Sequence, residues 1–279
     1  MSKYELLPTQ LIVEGIAEPA DFFEPDPLTI EQILSTHTPL YWDKLINGKL
    51  TRDEIRKTGF PYSEELISRE ITIAGGTLKC AQFALEEGFA MNIAGGTHHA
   101  FTDRGEGFCL LNDIAVAAND LLNNYDLKRI LIVDLDVHQG NGTAEIFAGD
   151  DRVFTLSMHG AKNYPLKKEK SSLDIPLADG TQDVEYLKLL HDNLSKVLSD
   201  FQPEFIFYQS GVDILASDKL GRLNVSMGGC KLRDEMVFEA ASHTGIPIVA
   251  CMGGGYSPKI STIVDAHTTT FEVARDVFS

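Results

Sequence analysis

The stretch "LIVDLDVHQGNG", residues 131–142, opens as a strand built for burial and closes on groups that burial should exclude. Leu131, Ile132 and Val133 form the apolar, β-branched run expected of a strand inside a parallel sheet. Asp134, Asp136 and His138 then fall on every second residue. Side chains in a strand alternate faces, so these three share one face while Leu135 and Val137 pack on the other. An unpartnered buried carboxylate is very costly, so this face demands a cation or strong hydrogen bonds.

Working outward, four more runs of the same kind recur along the chain: "FAMNIAGG" (89–96), "RVFTLSM" (152–158), "EFIFYQSG" (204–211) and "IPIVACMGGG" (246–255). Between them, "TLKCAQFALEEG" (77–88), "NDIAVAANDLLNNY" (112–125) and "DVEYLKLLHDNLSKVLSDF" (183–201) repeat apolar residues at helical spacing. Strands apolar on both faces and separated by helix-length segments predict one α/β domain over residues 1–279. Its expected form is three-layer α/β/α with a central, mostly parallel sheet. Asn112 and Thr181 stand where helix caps are expected, and Gly88 where a helix should stop. The Pro-rich stretch 17–34 reads as a surface loop leading into a helix whose first turn holds Glu31.

Charge and composition narrow the function classes. The chain carries 24 basic and 41 acidic side chains, a formal charge of −17, without a Lys/Arg-rich stretch long enough to follow a phosphate backbone. Nucleic acid is therefore not expected as a direct partner, and the overall field would weakly draw basic substrates. No apolar run reaches the roughly 18 residues of a membrane span, and "MSKYELLPTQ" lacks the pattern of a secretion signal. Cys80, Cys109, Cys230 and Cys251 are scattered and form no CxxC pair, which predicts buried thiols in a cytoplasmic protein.

The unusual residues follow the strands. Thr97-His98-His99 come after the first run, His138-Gln139-Gly140-Asn141-Gly142 after the opening stretch, Asp213 after the fourth run, and Gly253-Gly254-Gly255-Tyr256 after the last. In open parallel α/β sheets ligands bind at that carboxyl edge. Asp136 and His138 offer oxygen and nitrogen to a metal, and Asp213 can complete a three-ligand set from another strand. Three protein ligands with an open position suit catalytic zinc, and Fe²⁺ or Mn²⁺ would accept similar donors. Taken singly, Asp-x-Asp is an ordinary loop or cap, His-His a satisfied surface or core pair, and Gly-Gly-Gly-Tyr a turn; their coincidence at one edge outweighs those readings.

With those residues in place, the chain resembles the histone deacetylase family, within the arginase/deacetylase α/β fold. The likeness rests on "GGTHHAFTDRGEGFCLLNDIAVA" (95–117), "ILIVDLDVHQGNGTAEIF" (130–147), "YQSGVDILASDKLGRLNVS" (208–226) and "MGGGYS" (252–257). These pieces keep family order and spacing, and the likeness covers nearly the whole chain from about residue 30. "HQGNG" and "DILASDKLGRL" look closest to the class IV branch and its bacterial relatives.

The resemblance implies that Asp136, His138 and Asp213 bind Zn²⁺, with Fe²⁺ as a substitute. His99 would be general base and then general acid, with His98 beside it, and Tyr256 would donate a hydrogen bond to the substrate carbonyl. Asp134 would orient His98. Asp134, Ser157 and the backbone near Asp136, His138 and Met158 would hold a structural K⁺. Gly107, Phe108 and Gly254 would line the substrate channel, with Tyr164 on the opposite wall.

Two departures from the family pattern carry expectations. Asn141 stands where many members have Asp, so His99 should be less basic than in an Asp-paired site. Relatives usually carry a strand and loop before the helix that "KYELLPTQLIVEGI" resembles, whereas this sequence starts at that helix. Part of the pocket wall is then expected to be missing.

The function implied is removal of acetyl or longer acyl groups from lysine ε-amines of peptides or proteins, the alternative substrate being an acetylpolyamine or other small acylated amine. A two-manganese ureohydrolase would need further Asp and His ligands, and a non-enzymatic acyl-lysine reader would be favoured by loss of a ligand or of Tyr256. All the expected positions are filled.

Overall fold

The computed structural model describes residues 3–279. Six strands form one sheet: β1 (Phe89–Asn92), β2 (Ile130–Asp134), β3 (Val153–Gly160), β4 (Leu173–Leu177), β5 (Phe205–Gln209) and β6 (Ile248–Cys251). Their order is β1-β6-β5-β2-β3-β4, and every neighbouring pair runs parallel. The chain steps outward from β2 through β3 to β4, then returns to lay β5 against the other side of β2. The connection therefore reverses between β2 and β5, and such a switch point opens a crevice at the carboxyl ends of its strands.

Two apolar layers cover the sheet. On one face Leu131, Val133, Leu135 and Val137 pack with α8 (Asp183–Phe201), α9 (Met227–Thr244) and α10 (Ile260–Phe278). On the other, Ile130 and Ile132 pack with α5 (Glu64–Glu87) and α6 (Asp113–Asn124). The shorter helices α2 (Ile30–Leu34) and α3 (Pro39–Ile46) close over this second layer, α4 (Arg52–Thr58) is tied to α3 by the Lys44–Glu54 ion pair at 2.7 Å, and α1 (Lys3–Val13) lies on α10. Asp134, Asp136 and His138 continue the phase of Ile130 and Ile132, so they emerge on the α5/α6 side, where α7 (Asn141–Ile146) begins.

Local signals account for most boundaries. The Asn112 side chain accepts the Ala115 N–H at 3.0 Å and caps α6, and Gly88 closes α5. Glu31 lies in the first turn of α2, as expected. Thr181 does not cap α8: Gln182 occupies that position, and the Thr181 hydroxyl instead donates to the Ala178 carbonyl.

The helix expected over 77–88 is the second half of a 24-residue helix. Gly75-Gly76 looks like punctuation in the sequence, but Gly75 is there because the backbone of Asp26 crosses the helix so closely that a Cβ would collide with its carbonyl oxygen. Strand β4 was not expected. It is a short edge strand containing Pro176, a residue that edges tolerate and central strands do not.

Candidate active site

The crevice at the switch point holds a cavity of about 690 Å³. Asp136 and His138, just beyond β2, and Asp213, just beyond β5, bring one donor atom each within 4.8 Å of one another. His138 Nδ1 lies 3.0 Å from Asp136 Oδ1 and 3.1 Å from Asp213 Oδ2, and both carboxylates are almost wholly buried.

Glycine at 254 lets the loop after β6 approach them. Its N–H donates to Asp136 Oδ2 at 2.9 Å, while a Cβ there would stand 2.8 Å from the same oxygen and closer still to Asp213 Oδ2. Two desolvated carboxylates and an imidazole nitrogen aimed at one point fit a divalent cation better than they fit solvent. Burial and the neighbouring Asp136 charge push Asp213 above the usual carboxylate range; burial acts on Asp136 the same way, but His138 and His98 hold it well below that range.

The two histidines of the loop after β1 sit beside this cluster, their ring centroids 4.1 Å apart. His98 Nδ1 pairs with Asp134 Oδ2 at 2.7 Å, and His99 Nδ1 with Asn141 Oδ1 at 2.6 Å. The different partners separate their basicities. Burial lowers His98, but the charge of Asp134 and its hydrogen bond outweigh that and carry it up to about 9. For His99, burial and then the charges of His98 and His138 push well below the usual value, and the neutral Asn141 oxygen cannot offset them. The carboxylate partner favours the charged form of His98 and the amide partner leaves His99 the less basic of the two, and an uncharged imidazole is what a proton acceptor needs.

The remaining expected residues gather round the same cavity. Tyr164 meets His99 edge-on at 4.9 Å, and its hydroxyl donates to Glu106 at 2.9 Å; Gly107 and Phe108 also line the cavity, with Phe108 packed edge-on against Phe60. The loop bearing Gly107 and Phe108 is pinned to the end of α4, its N–H groups donating to the Lys57 and Thr58 carbonyls at 3.0 and 2.8 Å. Tyr256 follows β6, and Gly254 lines the cavity as well as touching the carboxylates. Asp134 pairs with Ser157 in the β2–β3 ladder, one residue before Met158, and the Ser157 hydroxyl contacts His159 Nδ1 at 3.0 Å. On the N-terminal side, Lys3 and Tyr4 of α1 line the cavity. The Lys3 ammonium donates to the Gly253 carbonyl at 3.0 Å and lies 5.9 Å from the Tyr256 ring centroid.

Residues 1–271 match the histone deacetylase domain. The chain belongs to the histone deacetylase family. It is 32% identical to histone deacetylase 2 of Arabidopsis thaliana, covering 91% of this chain and 68% of that one. Against a probable deacetylase of Archaeoglobus fulgidus the figures are 33%, 89% and 73%, and against an uncharacterized protein of Picosynechococcus 41%, 100% and 93%. Among solved structures, a histone deacetylase homologue complexed with SAHA superposes with a TM-score of 0.82 at 28% identity, covering 96% of this chain and 77% of that one. Membership makes this a histone deacetylase family hydrolase, and the parallel sheet matches the fold of these family structures.

Some residues that support this site were not singled out by the sequence, although Asp113 and Asp218 lie within the quoted family stretches. Asp218 accepts the N–H groups of Tyr256, Leu220 and Gly221 at 2.6, 2.8 and 2.9 Å, and so anchors the Tyr256 backbone to the loop that carries Asp213. Asp113 accepts N–H groups from Gly96 and Thr97 and both threonine hydroxyls, Thr77 and Thr97, which fixes the approach to His98. Each reads in sequence as a loop or helix-start aspartate. Arg233, fully buried, pairs with Asp234 at 2.8 Å and donates to the carbonyls of Ser210 and Gly211, supporting the Asp213 loop from behind.

Proposed function

We propose that this chain is a zinc-dependent amidohydrolase that removes acetyl or longer acyl groups from lysine ε-amines, with Asp136, His138 and Asp213 as metal ligands. The observation that carries the reading is His99, hydrogen-bonded to the neutral Asn141 amide, beside that donor cluster and Tyr256 in one cavity. A divalent ion bound there supplies Lewis acidity to the amide carbonyl and makes water easier to deprotonate, and Fe²⁺ would suit the same donors. His99 Nε2 takes the proton from the attacking water while Asn141 fixes the opposite ring nitrogen. Tyr256 donates its hydroxyl to the carbonyl oxygen as negative charge gathers there; burial, Asp136 and Asp213 keep that phenol protonated. His99 then returns the proton to the departing lysine nitrogen, leaving a free amine and a carboxylate.

Gly107, Phe108 and Tyr164 form the channel for the lysine stem, where apolar and aromatic walls match its methylenes. Carboxylate, hydroxyl and backbone carbonyl donors at Asp134, Asp136, His138, Ser157 and Met158 suit a structural K⁺. Asn141, "HQGNG" and "DILASDKLGRL" support a class IV-like placement, and four buried free cysteines support a reducing, cytoplasmic setting for one catalytic domain spanning the chain. No described helix is long and apolar enough to cross a membrane.

The test is hydrolysis of acyl-lysine peptides from acetyl to myristoyl, with and without a chelator, in the native protein and in Tyr256→Phe. Turnover should need the metal and fall about 10²-fold or more in the variant at unchanged metal content. Equal turnover by the two proteins refutes the mechanism.

A further inference from the structure

The sign of charge reverses at the mouth of the cavity. Over the whole chain acidic side chains outnumber basic ones 41 to 24, yet the exposed charged residues lining the opening are Arg56, Lys57, Lys162 and Arg222. The carboxylates that line the cavity are all buried: Asp136 and Asp213 in the donor cluster, and Glu70, which pairs with Arg69 at 2.6 Å. Among the described residues the four mouth cations find two ion-pair partners. Asp53 meets Arg56 at 3.1 Å, and Asp179 is shared by Lys162 at 3.5 Å and Arg222 at 3.4 Å. These pairs are partly or highly exposed and weakly held, so they leave the cations available to a ligand. Glu106, on the loop that carries Gly107 and Phe108, is occupied by Tyr164 and by Arg104 at 3.0 Å.

A local structural cause explains only half of this cluster. Arg56 and Lys57 lie in the last turn of α4, where the helix dipole favours cations by about 0.3–1 kcal/mol. Lys162 and Arg222 come from two other loops, after β3 and before α9, and no helix end calls for them. Three separate segments therefore present positive charge around one opening, and a cleft lined by one sign of charge concentrates ligands of the other.

We infer that the mouth selects acylated amines whose non-acyl part carries carboxylates, above all an acyl-lysine flanked by acidic residues, and disfavours polycationic acylated amines. This rests on the amide-hydrolase reading above and names its substrate class. Carboxylates beside the acylated lysine meet Arg56, Lys57, Lys162 or Arg222 at the mouth. An acetylated polyamine would instead bring its ammonium groups against those cations. The selection acts on capture and therefore on KM more than on kcat, and salt weakens it.

The experiment compares acetyl-lysine peptides with Asp/Glu, Ala or Lys/Arg flanks, free Nε-acetyllysine and N-acetylspermidine, at low and high NaCl. Binding of the peptides is followed in parallel by fluorescence anisotropy. The acidic peptide should exceed the basic one by about tenfold in kcat/KM at low salt, chiefly through KM. The gap should narrow at high salt, and Lys57→Glu/Lys162→Glu/Arg222→Glu should reverse the order. Free acetyllysine outperforming the acidic peptide would assign the carboxylate to a small molecule and keep the inference. Basic peptide or acetylspermidine preferred, or a ranking insensitive to both salt and charge reversal, overturns it. Absence of turnover with tighter, salt-sensitive binding of the acidic peptide fails the hydrolase reading and leaves the mouth's preference standing; turnover without that preference fails the inference alone.

Discussion

Gly254→Ala adds one methyl group to the cavity wall and tests the ligand set directly. Gly254 is not among the glycines at positive φ, so alanine fits its backbone and the consequence is steric. The new Cβ would stand 2.8 Å from Asp136 Oδ2 and nearer still to Asp213 Oδ2. Carbon and oxygen ordinarily meet at about 3.3 Å or more, so Asp136 must retreat by at least about 0.5 Å and Asp213 further. Metal–ligand distances tolerate only about 0.2 Å. Losing a group that merely orients a ligand costs about 10- to 100-fold in affinity; moving two ligands should reach the upper end, about 100-fold or 2.7 kcal/mol.

Zinc affinity measured by competition with a chromophoric chelator gives the number, and the rise in Tm on adding Zn²⁺ should shrink with it, because binding to the native state is what stabilises. Gly228→Ala is the matched control. Its Cβ would meet only the Ser226 hydroxyl, at an ordinary 3.6 Å, and zinc affinity should not change. Native zinc affinity in Gly254→Ala would refute the assignment of Asp136 and Asp213 as ligands.

Two further outcomes follow from the same geometry. Asn141→Asp places a carboxylate 2.6 Å from His99 Nδ1; an opposite charge so near favours imidazolium, and a base works only when neutral, so the acid limb of kcat/KM should move to higher pH by about one unit or more. A limb that stays put or moves down contradicts the role given to His99. Asp218→Ala removes the acceptor of three N–H groups and frees the Tyr256 backbone. It should lower kcat by about tenfold or more and stability by about 1–3 kcal/mol, read by turnover and urea unfolding, with zinc content unchanged.

The strands that carry the chemistry were legible because their polar residues keep strand phase. Asp134, Asp136 and His138 alternate with Leu135 and Val137, and the structure keeps that alternation although the ladder itself ends at Asp134. The histidine partners were legible for a different reason, the family pattern, since nothing in spacing alone joins His98 to Asp134 across 36 residues. What stayed hidden was polar structure serving other polar structure. Helix α9 shows little apolar periodicity because its inner face buries an ion pair, Arg233 and Asp234, where hydrophobic residues would announce a helix. The mouth cations were equally silent, for Arg56, Lys162 and Arg222 are far apart in sequence and become one feature only when a helix end and two loops meet.

The position of β6 in the sheet bears on how the molecule is made. Among the described residues β1 pairs with β6 alone, and β6 reaches the sheet by inserting between β1 and β5, so β1 lacks that partner until residues 248–251 have been synthesised. A growing chain that already displays His98, His99 and all three donor residues still lacks the strand that joins the two parts of the sheet. Tyr256 follows a few residues later. Chemical competence is thereby delayed until β6 and Tyr256 have been synthesised, and until then the open edges of β1 and β5 are the surfaces that aggregation would exploit and chaperones would have to cover.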